Sequence, residues 1–194
     1  MRRLLAIVIA ALALGVLSGV AAYQKVHPQG GEGTQRRWQE IDWPFPRDGW
    51  PPGRAFRCDG CDGAELYVRP KIGFCNCDTG VSDDDEVDRV ADIDLISERF
   101  VPLEPGKPVR IGELSGRSRS YDLSMSNGTR HQAVGMAVSN GARHAVGLAV
   151  SHGCDLFVAV VQGGATAPDL QLKALRFLQS DEMRRWTLAA LAVR

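Results

Sequence analysis

Four of the five cysteines in this chain of 194 residues lie close together, as Cys58-x-x-Cys61 and then Cys75-x-Cys77. Cysteines clustered in this way form disulfides, bind a metal or carry out redox chemistry, and each outcome restricts the backbone around them. Because residues two apart on a strand point to the same face, we expect each cysteine of the second pair to form a disulfide with one of the first. Cys154, the odd cysteine, then remains as a buried thiol.

Two other uses of the same cysteines stay open. All four together suit tetrahedral zinc, and a Cys-x-x-Cys knuckle is a zinc element, although the Cys-x-Cys half is unusual. Cys58 and Cys61 alone could exchange disulfides with another protein. Asp59 and Asp62 argue against this use, because negative neighbours disfavour the thiolate that such exchange needs.

The N-terminal segment predicts export from the cytoplasm. Two arginines precede an uncharged apolar run over residues 4–22, which is the order found in a signal peptide. The run is also nearly long enough to span a bilayer, so a single-pass anchor fits as well as a cleaved signal. Either way, the positive-inside rule places the rest of the chain outside the cytoplasm. We expect a signal peptide or transmembrane anchor at 1–22, a flexible linker at 23–37 and a single extracytoplasmic domain at 38–194.

Charge is spread unevenly along the chain. The formal net charge is zero, but residues 61–98 hold 11 acidic and 3 basic side chains. A chain without a basic stripe does not suit nucleic acid, whose binding depends on clustered Lys and Arg. The densest acidic run is a candidate negative surface for a partner or a cation, and it comprises Asp83, Asp84, Asp85, Glu86 and Asp88.

The same acidic run has the pattern of a helix start. Ser82 with Asp85 three residues later matches a looser form of the capping box, and acidic side chains favour the positive end of a helix dipole. We therefore predict a short helix that ends near Ala91, with Val87 and Val90 facing inward. The EF-hand pattern of calcium sites requires a central glycine and a closing glutamate, and the run has neither in place.

An aromatic and proline-rich segment opens the predicted domain. Residues 38–56 hold three of the four tryptophans and four of the ten prolines. Proline fixes φ and removes a donor, so we predict an extended, irregular lead-in and not a helix or central strand. Its aromatic rings are expected to anchor it on the core, and a platform for a ligand or partner is the alternative.

The chain between residues 64 and 162 predicts an antiparallel sheet. Two short strands are expected at 64–68 and 71–74, divided by Arg69-Pro70. A tandem repeat with turns at Asn127-Gly128 and Asn140-Gly141 then predicts a meander. In that meander Val138 lies across from Arg143. The predicted strands of the meander are 119–126, 129–139, 142–151 and 154–162.

The C-terminal region predicts helices packed on this sheet. From Asp169 onward, Leu172, Leu175 and Leu178 recur at helical spacing, and a break near Ser180 would start a second helix. Such an amphipathic end most simply covers one face of the meander. The fold class is therefore α+β, with an N-terminal signal or anchor helix followed by a small antiparallel sheet and a C-terminal helical cover.

No catalytic motif accompanies these elements. His152 and Cys154 are expected to share a strand face, but no third group completes a catalytic set. We therefore expect a protein that is not an enzyme and holds no cofactor. It is predicted to be an exported or membrane-anchored, disulfide-stabilised domain, in the cell membrane, the periplasm or the medium. The expected partner is another envelope protein, with contact to the membrane through residues 4–22 if the segment is uncleaved. A zinc-like or thiol-redox protein is the alternative.

Overall fold

The computed structural model describes residues 38–73, 77–123 and 143–192, which form an antiparallel sheet with helices on both faces. The α+β class, with a small antiparallel sheet and C-terminal helices, is confirmed. The predicted signal or anchor segment lies outside the described residues, and within them no helix is long and apolar enough to cross a membrane. The elements are β1 (Trp38–Ile41), β2 (Arg54–Cys58), β3 (Glu65–Lys71), α1 (Asp84–Val90), α2 (Ile93–Ile96), β4 (Phe100–Pro102), β5 (Lys107–Ile111), β6 (Leu114–Leu123), β7 (Arg143–His152), β8 (Asp155–Gly163), α3 (Ala167–Leu178) and α4 (Asp181–Ala192).

The strand order is β1-β2-β3-β8-β7-β6-β4, and β5 pairs with the other half of the same edge of β6. β8, the last strand along the chain, thus lies in the middle of the sheet, between β3 and β7. All nine residues of β8 are buried, which explains the apolar run at its residues 156–161. Side chains alternate between two packed faces, so we name them the α3/α4 face and the α1 face after the helices that cover them.

The α3/α4 face is an apolar layer. Thr166 caps α3 by accepting a hydrogen bond from the Asp169 amide, and Leu170, Ala174 and Leu178 are buried against the sheet. This stripe differs from the predicted one, because Leu172 is 48% exposed. The predicted break is confirmed: Ser180 accepts from the backbone of the next helix, which buries Met183 and Leu191. Two helices, α3 and α4, therefore cover the sheet face that the amphipathic C-terminal region was expected to cover.

The α1 face is covered by the short acidic helix. The helix runs from Asp84 to Val90 and ends at Ala91, as predicted, and Val87 and Val90 are buried. Its N-cap is Asp83, whose side chain accepts from the amide of Glu86, and not Ser82. The N-cap therefore lies one residue after the predicted position, because an aspartate carboxylate caps a helix as well as a serine hydroxyl does.

Two predicted strand arrangements are wrong. The prediction paired the strand that corresponds to β7 with the strand 129–139. In the structure the two neighbours of β7 are β6 and β8, and Arg143 pairs with Leu123 of β6. The 129–139 segment itself lies outside the described residues. In addition, β3 continues through Arg69-Pro70 as one strand. The missing N–H of Pro70 is tolerated because β2 pairs with β3 only as far as Val68.

Two disulfides are present, with a pairing that differs from the expected one. Cys58 bonds to Cys61 across the loop between β2 and β3, and Cys77 bonds to Cys154. Cys154 is therefore not a free thiol. It lies in the turn between β7 and β8, where His152 pairs with Asp155, so it does not share a strand face with His152. Cys75 lies outside the described residues.

Candidate binding site under the aromatic strap

The connection between β1 and β2, residues 42–53, crosses the α1 face of β3, and we call it the strap. Its four prolines give no backbone donors, so side chains hold it in place. Gly53 ends the strap where a side chain cannot fit, because a Cβ there would collide with the Val68 carbonyl oxygen and the Trp43 ring. The strap is thus fitted closely to the sheet at this end.

Aromatic rings form the first part of the site. Phe45 packs edge-on against Tyr67 with ring centroids 4.8 Å apart, and Trp43 packs on Phe45 at 5.2 Å. On the opposite face, Trp38 packs against Phe177 at 5.4 Å. The lead-in rings therefore anchor the segment on the core, as the sequence predicts. Residues 38–41 form a regular edge strand within that lead-in.

Beneath the strap lies a group of four charged residues, Asp48, Arg69, Lys71 and Asp92, which we call the Arg69 cluster. Asp48 accepts from Arg69 through both carboxylate oxygens, at 3.0 Å from Nη1 and 2.8 Å from Nη2. Asp92 accepts from Nε of the same guanidinium at 2.7 Å and from Nη2 at 2.8 Å. Lys71 donates to Asp92 at 2.6 Å and to the Val90 carbonyl at 2.8 Å. The strap, β3 and the end of α1 are joined at this one point.

The two cations of the cluster are almost completely buried, while one of the anions is not. The side chains of Arg69 and Lys71 are 3% and 4% exposed, that of Asp92 is 13% exposed and that of Asp48 is 29% exposed. The hydrogen bonds from Arg69 hold the pKa of the Asp48 carboxyl below its usual value. Burial lowers the pKa of Arg69, but the bonds to both aspartates more than reverse this and raise it. Asp48 and Arg69 therefore form a charged pair at neutral pH, and the cluster contains two acidic and two basic side chains.

A second polar group adjoins the aromatic rings on β3. The Tyr67 hydroxyl donates to Glu65 at 2.6 Å, and Arg57 binds the other oxygen of the same carboxylate. Gln162 donates to Glu65 at 3.3 Å, while its own Oε1 is buried without a hydrogen-bond partner among the described residues. Burial first, and then the Glu65 charge, raise the pKa of Tyr67. The phenol is therefore a neutral donor at physiological pH and not a proton-transfer group.

The open space around the strap is of two kinds. Beneath it, a cavity of about 10 Å³ is bordered by Trp43, Phe45, Tyr67, Arg69, Asp92, Leu95, Ile96, Val158 and Val160. That volume suits about one water molecule. Outside it, a wide depression of about 570 Å³ is lined by Glu40, Ile41, Asp42, Trp43, Gly53 and Arg54. Trp43 borders both spaces.

The candidate acidic surface divides between the sheet and the solvent. Asp84 turns inward, accepting from Arg117 at 2.7 Å and from the amide of Gly106 at 2.9 Å. Asp88 also turns inward and accepts from Arg119 at 2.6 Å and from the Tyr121 hydroxyl at 2.7 Å. Of the other three residues of the run, Asp83 caps the helix, Asp85 is exposed, and Glu86, whose side chain is 19% exposed, pairs with Arg89. The part of the run left for a partner is thus smaller than its length suggests.

The cysteines do not form a metal set in the part of the chain that the structure describes. Cys58, Cys61 and Cys77 are used in disulfides, so their thiolates cannot serve the zinc alternative. More generally, no group of three His, Cys, Asp or Glu side chains among residues 38–73, 77–123 and 143–192 could hold a metal ion.

Comparison with known proteins adds no relative: no protein-family model matches the chain, and no curated protein matches it. The site must therefore be interpreted from its own residues. Sequence reasoning missed Asp48, Arg69 and Asp92 as a group. A signal was present in β3, where Glu65, Tyr67, Arg69 and Lys71 alternate with apolar residues and so mark one face of a strand as polar.

Proposed function

We propose that this protein is an exported, disulfide-stabilised domain of the cell envelope that acts by binding another envelope protein. The two disulfides carry the proposal, because disulfides persist in oxidising compartments outside the cytoplasm. The apolar N-terminal run supports the same compartment.

Binding is proposed over catalysis because of how the polar groups under the strap are used. The charged groups of the Arg69 cluster bond to one another, and the Tyr67 phenol is held neutral. The space beneath the strap suits one water molecule, whereas the depression outside it is wide, open to solvent and accessible to another protein. The strap and this depression are the proposed contact surface for the partner.

Fractionation of cells that make the full chain tests the proposed compartment. We expect the protein in the envelope or periplasmic fraction, with a mass that rises by four hydrogen atoms after reduction because two disulfides open. Reduced protein in the cytoplasmic fraction would contradict the proposal.

A photo-crosslinker placed by mutation tests the contact surface. At Asp42, on the rim of the depression, we expect a discrete adduct with one envelope protein in living cells. The matched control is Leu172, an exposed residue of α3 on the other face of the sheet. Equal crosslinking at the two positions would show that the strap side is not the contact surface.

The thiol-redox alternative is kept because Cys58 and Cys61 bond to each other within a Cys-x-x-Cys sequence. Both residues are buried, which limits attack by another thiol. A Cys61→Ser variant decides the matter. A redox protein would accumulate a mixed disulfide with its substrate through Cys58, whereas a structural disulfide would leave no such adduct.

A further inference from the structure

We propose that the Arg69 cluster is a carboxylate-binding site that Asp48 occupies from within the same chain. The ligand is a carboxylate carried on an apolar or aromatic body, and it takes the place of Asp48 when the strap moves aside. This inference rests on the proposed function, that the domain acts by binding, and it names the chemistry that the site under the strap recognises.

The guanidinium of Arg69 already holds a carboxylate in the geometry used for ligands. Asp48 places one oxygen on each terminal nitrogen, at 3.0 Å and 2.8 Å, which is the two-pronged arrangement of arginine with a carboxylate. Asp92 meanwhile fixes the guanidinium from the side, by accepting from Nε and also from Nη2, which it shares with Asp48. The end of Arg69 is therefore preorganised for a planar carboxylate, whether that group belongs to Asp48 or to a ligand.

Arg69 needs an acceptor in this position. Its side chain is buried on β3, and its other carboxylate partner, Asp92, also accepts from Lys71. If Asp48 left without a replacement, the buried guanidinium would lose the acceptor of its terminal N–H groups, at a large cost in free energy. Strap opening is therefore coupled to the arrival of another anion.

Asp48 is the most detachable member of the cluster. It belongs to the strap and not to the sheet, and its neighbours at 46, 47 and 49 are exposed. Its carboxylate is 29% exposed, whereas the Arg69 side chain is 3% exposed. Water and ligands can therefore reach the outer side of this ion pair while its inner side remains fixed to the fold.

The walls of the cavity define the rest of the ligand. Beside Arg69 they are aromatic and aliphatic, with Tyr67, Leu95, Ile96 and Val158 on the sheet and helix side. The strap fills this space with the rings of Trp43 and Phe45, leaving room for about one water molecule. A ligand that displaces the strap must replace these rings, so an apolar body attached to the carboxylate fits better than a free anion.

Titration of the full-length, oxidised protein with 4-phenylbutanoate tests this proposal, with 4-phenylbutanamide at the same ionic strength as the neutral control. Binding is followed by isothermal titration calorimetry and by the indole N–H signals of Trp43 and Trp50 in NMR spectra. We expect the acid, and not the amide, to bind the wild type and to shift these two signals. In Asp48→Ala the affinity for the acid should rise about tenfold or more, because the internal competitor is removed.

The matched control is Asp181→Ala, which removes an exposed carboxylate from α4 on the other face of the sheet and should leave the affinity unchanged. If Asp48→Ala does not fold, Asp48→Asn serves in its place, with a smaller gain expected because the amide still fills the space. Equal affinity for acid and amide would overturn the proposal. Binding of acid to Asp48→Ala without any binding to the wild type would also overturn it, since the ion pair would then be structural only.

The experiments distinguish a wrong carboxylate-site proposal from a wrong proposed function. The titration uses purified oxidised protein and is independent of where the cell places it. The fractionation and crosslinking experiments do not depend on a carboxylate ligand. If the domain is exported and crosslinks through the strap but does not bind 4-phenylbutanoate, the proposed function stands and the carboxylate-site proposal is wrong.

Discussion

The two faces of the central sheet are both buried but are held by different forces. On the α3/α4 face, apolar side chains such as Leu170, Leu178 and Met183 pack on Phe157 and its neighbours. On the α1 face, a smaller apolar cluster is supplemented by ion pairs that reach from three aspartates to the strands. The aspartates are Asp84, Asp88 and Asp92, four residues apart, and their partners are Arg117, Arg119, Arg69 and Lys71.

This difference assigns different properties to the two covers. Apolar burial is roughly proportional to area and has no preferred direction, so the α3/α4 cover should depend less on pH and salt, although Arg54 of β2 pairs with Glu182 of α4 at 3.2 Å. Ion pairs fix α1 and the strap at defined points, but each depends on the protonation state and the solvent exposure of its members. The α1 face is therefore the side on which a partner or ligand can compete with internal contacts.

Truncation of Phe157 on the apolar face should have the largest effect. The ring is fully buried and packs edge-on against Trp186 with centroids 5.9 Å apart. Phe157→Ala removes this area and leaves a cavity, so we expect the free energy of unfolding to fall by about 4 kcal/mol. Urea unfolding followed by far-UV circular dichroism measures it. The loss should be the same in 50 mM and 500 mM salt, and a strong salt dependence would contradict an apolar origin.

Removal of Arg69 should have the next largest effect and should act on the other face. Arg69→Met keeps the length of the side chain but leaves two carboxylates without their shared partner, so we expect a loss of about 3 kcal/mol. Lys107→Met is the control, because that side chain is 60% exposed and its pair with Glu104 should contribute less than about 1 kcal/mol. Equal losses in the two variants would mean that burial does not strengthen the Arg69 contacts.

Acid should weaken the α1 face before the α3/α4 face. Hydrogen bonds from Arg69 lower the pKa of Asp48, and those from the Gly106 amide and Arg117 lower that of Asp84, each from an ordinary value of 3.8. Carboxyls with a lowered pKa in the folded state stabilise it fully above their unfolded pKa, and lose that stabilisation as the pH falls through the folded pKa. Melting temperatures measured from pH 7 to pH 2 should therefore decrease once the pH is below about 4. In Asp48→Asn this decrease should be smaller. An identical decrease in the variant would exclude Asp48 as a contributor.

Loss of the partly exposed pair between Glu86 and Arg89 within α1 should have the smallest effect. Glu86 pairs with Arg89 one turn later, and the Arg89 side chain is half exposed. Glu86→Gln should change the free energy of unfolding by about 0.5 kcal/mol or less. Asp88→Asn, two residues further along the helix, should cost more, because the Tyr121 hydroxyl and Arg119 lose a charged acceptor. If the two losses are equal, the inward side of α1 is not held by its charges.

Local patterns predicted the elements of this fold better than their arrangement. The capped acidic helix, the broken C-terminal helix pair and strands close to β7 and β8 follow from spacing and capping within short windows. The position of β8 between β3 and β7 does not, because it depends on residues as far apart as Leu66 and Val161. In the predicted meander the strand 142–151 pairs with the strand 129–139. In the structure β7 pairs with β6 instead.

The candidate site was beyond sequence reasoning for a similar reason. Asp48, Arg69 and Asp92 come from the strap, a strand and a helix end, and only the sheet order brings them together. The cysteines illustrate the same limit, since Cys77 pairs with Cys154, distant in sequence, and not with its neighbours. Clustering in sequence predicted that disulfides form but not which cysteines are joined.

The disulfide between Cys77 and Cys154, 77 positions apart, also changes how the centre of the sheet can assemble. β3 and β8 pair Lys71 with Leu156, a contact that in the reduced chain requires the closure of a long loop. Once the disulfide has formed, only a short run of residues on either side of it separates the two strands, as in a hairpin. Oxidised chains should therefore refold from denaturant with a faster main phase than reduced chains, because the longest-range pairing of the sheet has become a local one.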